Sequence, residues 1–143
     1  MKGIMMKLKR AYAYLFYRLY LSLERYSCPP FWSEWKASLL LSIFNFLLIY
    51  SFLIFYVVIV DRYSKLANSV PIMISIVVSQ NIINYMMFFY KDQWKEIISE
   101  FNKLSKEKNK KGFVFANVFF VICIISIIYS FYLMSQVDWS LYR

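Results

Sequence analysis

Three stretches of this sequence, residues 37–60, 70–90 and 113–135, contain no Asp, Glu, Lys or Arg. Each is 21 to 24 residues long, and about 20 residues of helix cross a hydrocarbon core about 30 Å thick. Lipid offers no partner to backbone N–H and C=O groups, so a run of this length crosses it only as a helix that bonds internally. The β-branched and aromatic residues in the runs would also suit buried strands, but strands are far shorter. Composition agrees with this reading. Apolar residues make up 61% of the chain and aromatics 22%, more apolar surface than a soluble domain of 143 residues can hide. The predicted fold is an all-α membrane protein, with three transmembrane helices preceded by an amphipathic interfacial helix.

Cationic flanks set the predicted orientation. Seven Lys and Arg precede the first run and seven lie between the second and third, giving 7 + 7 = 14 on one side. Two follow the first run and one follows the third, giving 2 + 1 = 3 on the other. Cytoplasmic segments hold the excess of Lys and Arg, so the N-terminus is expected inside and the C-terminus outside. Trp32 and Trp35, Tyr63, Tyr90 and Trp94, and Trp139 and Tyr142 stand at the ends of the runs as interfacial anchors. The predicted organisation is a cytoplasmic N-terminal segment at 1–36, a membrane domain at 37–135 with a cytoplasmic helical hairpin loop at 91–112, and a short external tail at 136–143. The loop at 61–69 is short enough to make the first two spans an antiparallel hairpin.

Residues 9–32, "KRAYAYLFYRLYLSLERYSCPPFW", do not read as a fourth span. At about 100° per residue, Leu8, Leu15, Leu19 and Tyr26 fall on one stripe, widened by Met5, Tyr12, Phe16 and Leu23. Lys7, Arg10, Arg18 and Arg25 gather opposite. Such a helix is expected to lie on the cytoplasmic surface with its basic face toward anionic lipid; the alternative is cover packed against the ends of the spans. Arg18 interrupts the apolar run and no small-residue cleavage site follows, so a cleaved signal peptide is not expected. Residues 28–30, Cys-Pro-Pro, should end the helix. In the second cytoplasmic segment, Trp94, Ile97, Ile98, Phe101 and Leu104 form one apolar stripe. This predicts the second span prolonged past a bend to about Ser105, then a charged turn, "KEKNKKG", with Gly112 at a tight reversal.

Groups suited to chemistry are few. The chain has no His and two Cys, Cys28 and Cys123. Cys/His zinc sites are therefore excluded, and a disulfide framework is not expected. Cys123 reads as a small buried hydrophobe; Cys28 reads as a free interfacial thiol or a lipidation site. All eight carboxylates lie outside the runs. Asp92, Glu96 and Glu100 form an i, i+4, i+8 row that reads as a solvated face among lysines or, functionally, as a cation site. No catalytic residue, cofactor or metal is predicted. The net charge of +9 sits beside the apolar runs, which assigns it to the membrane surface and away from nucleic acid.

The intramembrane amides carry more information. Asn45, Asn84 and Asn117 fall about 12, 9 and 6 Å below the cytoplasmic ends of their helices at 1.5 Å per residue, with Gln80 and Asn81 near the midplane. Lipid cannot satisfy an amide, so Asn45, Gln80, Asn81, Asn84 and Asn117 are expected to face inward as an interhelical polar seam. Three roles are open to that seam: glue between helices, a pore lining on oligomerisation, or a small-ligand pocket. No intramembrane ionisable group is present, which argues against a stand-alone transporter.

At "YAYLFYRLY", "SEWKA", "KDQWKEIISEF" and "FYLMSQVDW" the chain resembles a group of small, uncharacterised bacterial three-span inner-membrane proteins. The resemblance implies residence in the bacterial inner membrane and, through companions of secreted-toxin or contact-dependent systems, a membrane-held immunity or accessory protein. A non-enzymatic interaction protein, bound to a protein partner or to further copies of itself, is the leading functional expectation. A homo-oligomeric pore or membrane-perturbing effector is the alternative, and a lipid-modifying enzyme built on Asp92, Glu96 and Glu100 a third.

Overall fold

The structure is a computed structural model, and it describes residues 2–26 and 32–142. The expected break at residues 28–30 and the interfacial thiol of Cys28 lie outside the described residues. Among the described residues five helices carry the architecture: α1 (Lys2–Tyr26), α2 (Ser33–Ile59), α3 (Val70–Asn84), α4 (Gln93–Asn102) and α5 (Lys106–Ser135). Single short turns of other helix types occupy Leu66–Asn68, Tyr85–Phe89, Tyr90–Asp92 and Trp139–Tyr142, and no strand occurs among the described residues. Three helical stretches are long and apolar enough to cross a membrane: Ser33–Ile59, Val70–Asn102 and Lys106–Ser135. The pattern is compatible with a multi-pass membrane protein.

α2 is the central element, packed by α1, α3 and α5. Its partners show the senses of the chain. Phe44 meets Phe120 at 4.6 Å and Tyr50 meets Phe131 at 6.2 Å between ring centroids, so α2 and α5 run the same way. Trp35 stacks on Phe89 at 4.0 Å and Ser42 bonds Asn84, so α3 runs the opposite way. α5 buries Ala116, Cys123 and Ser130, which recur every seventh residue. Small side chains at that spacing bring two backbones close along one seam. Ser130 and, on α2, Ser51 are fully buried, and each returns its hydroxyl to the carbonyl three residues back, so neither leaves a polar atom bare in the seam. Cys123 is buried there, as its position in an apolar run predicts.

Two features of the second half differ from expectation. The second span does not simply bend into the cytoplasmic segment. After Asn84 the helix widens into one π turn, Tyr85–Phe89, then breaks at Lys91 and Asp92, whose φ angles of 56° and 54° are left-handed. That conformation costs an L-residue about 1–2 kcal/mol, and it frees α4 to swing onto α1, where Phe101 is buried and Trp94, Ile97, Ile98 and Leu104 pack. α4 stops at Asn102, and the reversal falls at 103–105. The second correction concerns "KEKNKKG", which is not a turn but the opening of α5. Ser105 supplies the extended residue before the helix, with Glu107 in its first turn, and Lys and Glu propagate a helix well. Gly112 is helical; its place is explained by contact. A Cβ there would sit 2.6 Å from Cε1 of Tyr14, whose ring fills the space.

α1 is covered more completely than a single stripe allows. Residues 13–17 are all buried, one after another, which means that both faces of the helix are packed at that level. α2 and the π turn cover one side; α4 and the start of α5 cover the other. The stripe's two ends are open instead, with Leu8 65% and Tyr26 77% exposed.

Candidate functional site: a tyrosine-centred polar node

Tyr12 of α1 carries its hydroxyl into the space between α2 and α3. The Oη donates to Oδ1 of Asn84 at 2.6 Å. It accepts from Nδ2 of Asn45 at 2.7 Å and from Nε2 of Gln80 at 2.7 Å. A phenol has one proton and two acceptor sites, and all three are used. Asn84, only 1% exposed, turns its own amide outward along α2: Nδ2 donates to Ser42 Oγ at 2.7 Å and to the Ser38 carbonyl at 3.2 Å. Ser42 Oγ in turn donates to the Ser38 carbonyl at 3.1 Å. Gln80 Nε2 also lies 3.5 Å from Asn84 Oδ1. Among the described residues no buried side-chain polar atom lacks a partner.

Aromatic packing holds the node in place. Phe88, fully buried, stacks on Phe16 at 4.1 Å and on Tyr12 at 5.8 Å. The π turn places Phe88 so soon after Asn84, because a widened turn shifts the register of the residues that follow. Burial disfavours the phenolate and pushes Tyr12 up to about 12, against the opposing pull of hydrogen bonds with Asn45, Asn84 and Gln80. The node is therefore neutral at any physiological pH. With no carboxylate or cation in it, its chemistry is to join three helices by neutral hydrogen bonds.

The other side of α1 meets the α4–α5 hairpin through a second polar layer. Tyr14 Oη donates to Asn109 Oδ1 at 2.6 Å, and Tyr17 Oη donates to Asn102 Oδ1 at 2.8 Å. Phe101 sits between these rings, at 5.2 and 5.5 Å. Of the four basic-face residues, two are engaged by the hairpin: Arg10 pairs with Glu100 at 2.9 Å, and Arg18 lies over the Phe113 ring at 4.5 Å. Lys7 and Arg25 are exposed, with Arg25 over the ring of Tyr26.

The five predicted seam amides divide. Asn45, Gln80 and Asn84 come together; Asn81 and Asn117 do not. Asn81 is exposed on α3 and donates only to the Val77 carbonyl of its own helix, at 2.8 Å. Asn117 is exposed on α5, next to Ala116, which faces α2. A step of one residue turns a side chain by about 100°, so Asn81 and Asn117 miss the faces that Gln80 and Ala116 occupy. The residue that organises the node, Tyr12, is in the predicted apolar stripe; the signal for its role is its hydroxyl, which needs a partner wherever a tyrosine is buried. The carboxylate row is also dispersed. Asp92 precedes α4 and pairs with Lys95 at 3.1 Å, while Glu100 is turned to Arg10. Among the described residues no three His, Cys, Asp or Glu gather. No protein-family model, no curated protein and no solved structure matches the chain.

Proposed function

We propose that this chain is a multi-pass protein of the bacterial inner membrane, N-terminus inside and C-terminus outside, that works by non-covalent association with a partner inside the bilayer, as an immunity or accessory protein does for a membrane-acting toxin or secretion system. The charge asymmetry of the flanks supports the orientation. The exposed Ile4, Met5, Met6 and Leu8, interleaved with Lys7 and Lys9, support a surface-lying start to α1 in contact with anionic lipid.

One observation carries the association reading. Asn81 is exposed on α3 among Ile74, Val77, Val78 and Ile82, about 14 Å from the Tyr90 end at 1.5 Å per residue. Its Nδ2 is used within α3, and its Oδ1 has no partner among the described residues. An unpaired amide oxygen in an apolar medium costs about 1–3 kcal/mol, and lipid tails offer it no donor. A docked helix that brings one removes the cost. Beside it, Trp35, Ser38, Leu39, Val78, Asn81 and Phe89 line a groove of about 460 Å³ between α2 and α3, the kind of cleft that receives a helix. The pore alternative loses three of its five amides, since Asn45, Gln80 and Asn84 are bonded within the chain, and is left with Asn81 and Asn117, exposed on different helices.

The test is a photo-crosslinking residue placed at Val78, with Phe52, an exposed position on α2, as the control. Val78 should yield a protein adduct that disappears with Asn81→Leu, and Phe52 none. An absent adduct at Val78, or one insensitive to Asn81→Leu, defeats the association reading. For the immunity form, cells deprived of the chain should become sensitive to the product of its neighbouring gene.

A further inference from the structure

At the end of the bundle away from Tyr12, α3 and α5 diverge on either side of α2 and leave a cavity of about 890 Å³. Small-molecule sites occupy about 300–1,000 Å³. The floor is closed by Ile54, Val57 and Val58 of α2, only 1–7% exposed, and the apolar surface left open is that of Met134 and Trp139 along one wall and of Val70 on α3. The rim is cationic, carrying Arg62 and Lys65 and no acid. The nearest carboxylates are turned elsewhere: Asp61 Oδ1 accepts the Tyr63 N–H at 3.1 Å, and Asp138 Oδ1 accepts the Ser140 hydroxyl at 2.7 Å.

Arg62 is held ready at this rim. Its Nε donates to the Val58 carbonyl at 3.1 Å and its Nη1 to Tyr142 Oη at 3.0 Å, and the ring of Tyr142 lies 5.6 Å from the guanidinium carbon. A guanidinium has five N–H donors, so three remain uncommitted among the described residues, on a group already fixed in direction. Lys65, three residues on, is exposed at the same rim. Apolar lining and cationic rim are one amphipathic surface, and Val70 of α3, 62% exposed, stands at its open edge.

We propose that this cavity seats one anionic phospholipid, an acyl chain along Val70, Met134 and Trp139 and its phosphate on Arg62 and Lys65. The inference rests on the membrane reading but not on the partner reading, because its residues are remote in the fold from Asn81 and its readout is lipid, not protein.

The experiment uses the full chain in mild detergent, with phosphatidylglycerol or phosphatidylcholine added after delipidation and the lipid retained per chain counted by native mass spectrometry. Two interfacial cations set a preference of about 10–30-fold for the anionic lipid. Arg62→Gln/Lys65→Gln should abolish that preference, whereas Lys7→Gln/Arg25→Gln, which removes the same charge elsewhere, should leave it intact. Val57→Trp, which fills the floor, should reduce retention of both lipids. A second readout avoids dependence on that core variant: phosphatidylglycerol brominated on its acyl chains should quench tryptophan fluorescence, and Trp139→Phe should remove most of the quenching. Equal retention of the two lipids by the unmodified chain, equal loss in both double variants, or quenching that survives Trp139→Phe overturns the proposal.

Discussion

Removing one oxygen atom from this protein should loosen three helices at once. Tyr12→Phe deletes the Oη that joins Asn84, Asn45 and Gln80 and leaves the ring on Phe88 in place. Interhelical hydrogen bonds in membrane proteins average about 0.6 kcal/mol and reach about 1.7. Three of them bound the loss between about 2 and 5 kcal/mol, and two considerations favour the lower figure. Asn84 keeps its bonds to Ser42 and Ser38. Gln80, already 3.5 Å from Asn84 Oδ1, needs only a small shift to take the vacated acceptor. Asn45 has no such recourse and is left bare. The expected destabilisation is therefore about 2 kcal/mol, measured by reversible unfolding in bicelles. Tyr14→Phe loses a bond to the half-buried Asn109 at the start of α5 and should cost about 1 kcal/mol or less. A Tyr12→Phe variant as stable as the unmodified chain, or one no worse than Tyr14→Phe, would refute the node. A double-mutant cycle of Tyr12→Phe with Asn45→Ala should also return a coupling of about 0.5 kcal/mol or more.

Asn81→Leu and Asn84→Leu, three positions apart, should behave oppositely: the first leaves isolated-chain stability unchanged or raised, the second lowers it by about 2 kcal/mol or more through unpaired partners in the node, in the same unfolding assay. Gly112→Ala should cost about 1–3 kcal/mol by overpacking against the Tyr14 ring, and Tyr14→Ala should make the added methyl harmless, which a melting-temperature comparison of the four variants checks. Tyr12 is raised to about 12 from an unfolded value near 10, so its contribution is complete below about pH 10 and is lost as the pH climbs toward 12; alkaline melts of the unmodified chain should fall more steeply than those of Tyr12→Phe. Cys123, at the α2–α5 seam, should resist a small maleimide in the folded protein and react once the chain is unfolded in strong detergent.

What was legible from sequence followed from rules that need no neighbour. An uncharged run of 21 or more residues specifies its own helix in lipid, and the three spanning-length helices stand where the runs predict. Burial of Cys123 was legible from its place in an apolar run, and convergence of Asn45, Gln80 and Asn84 from the rule that an amide in oil turns toward a partner, a rule that fails at Asn81 and Asn117. What was not legible depended on pairs of distant residues. Gly112 looks like a hinge until the Tyr14 ring is seen against it. The second span looks continuous through Tyr90 because nothing in "NYMMFFYKDQW" announces a π turn followed by two left-handed residues, a break maintained only by what α4 gains on α1. Tyr12 reads as one more member of an apolar stripe, because helical periodicity places a side chain on a face and says nothing of what its hydroxyl will find there.

The contrast between Asn84 and Asn81 shows how a register decides which amide is satisfied. Both are asparagines at the level of the α2–α3 contact, and composition treats them alike. Gln80 and Asn84, one turn apart, point into the packed side of α3, where Tyr12, Ser42 and the Ser38 carbonyl engage both ends of the Asn84 amide and Tyr12 takes the Gln80 N–H. Asn81 points about 100° away from Gln80, onto a flank with Val77, Val78 and Ile82, and keeps an oxygen without a partner among the described residues. A helix built only to be stable has no use for the second amide, since leucine at 81 would suit lipid better by the cost of one unpaired polar group, about 1–3 kcal/mol. A satisfied amide holds the chain to itself; an unsatisfied one on an apolar flank gains about 1–3 kcal/mol when a donor is brought to it, and that asymmetry is the physical ground for the docking proposed on this face of α3.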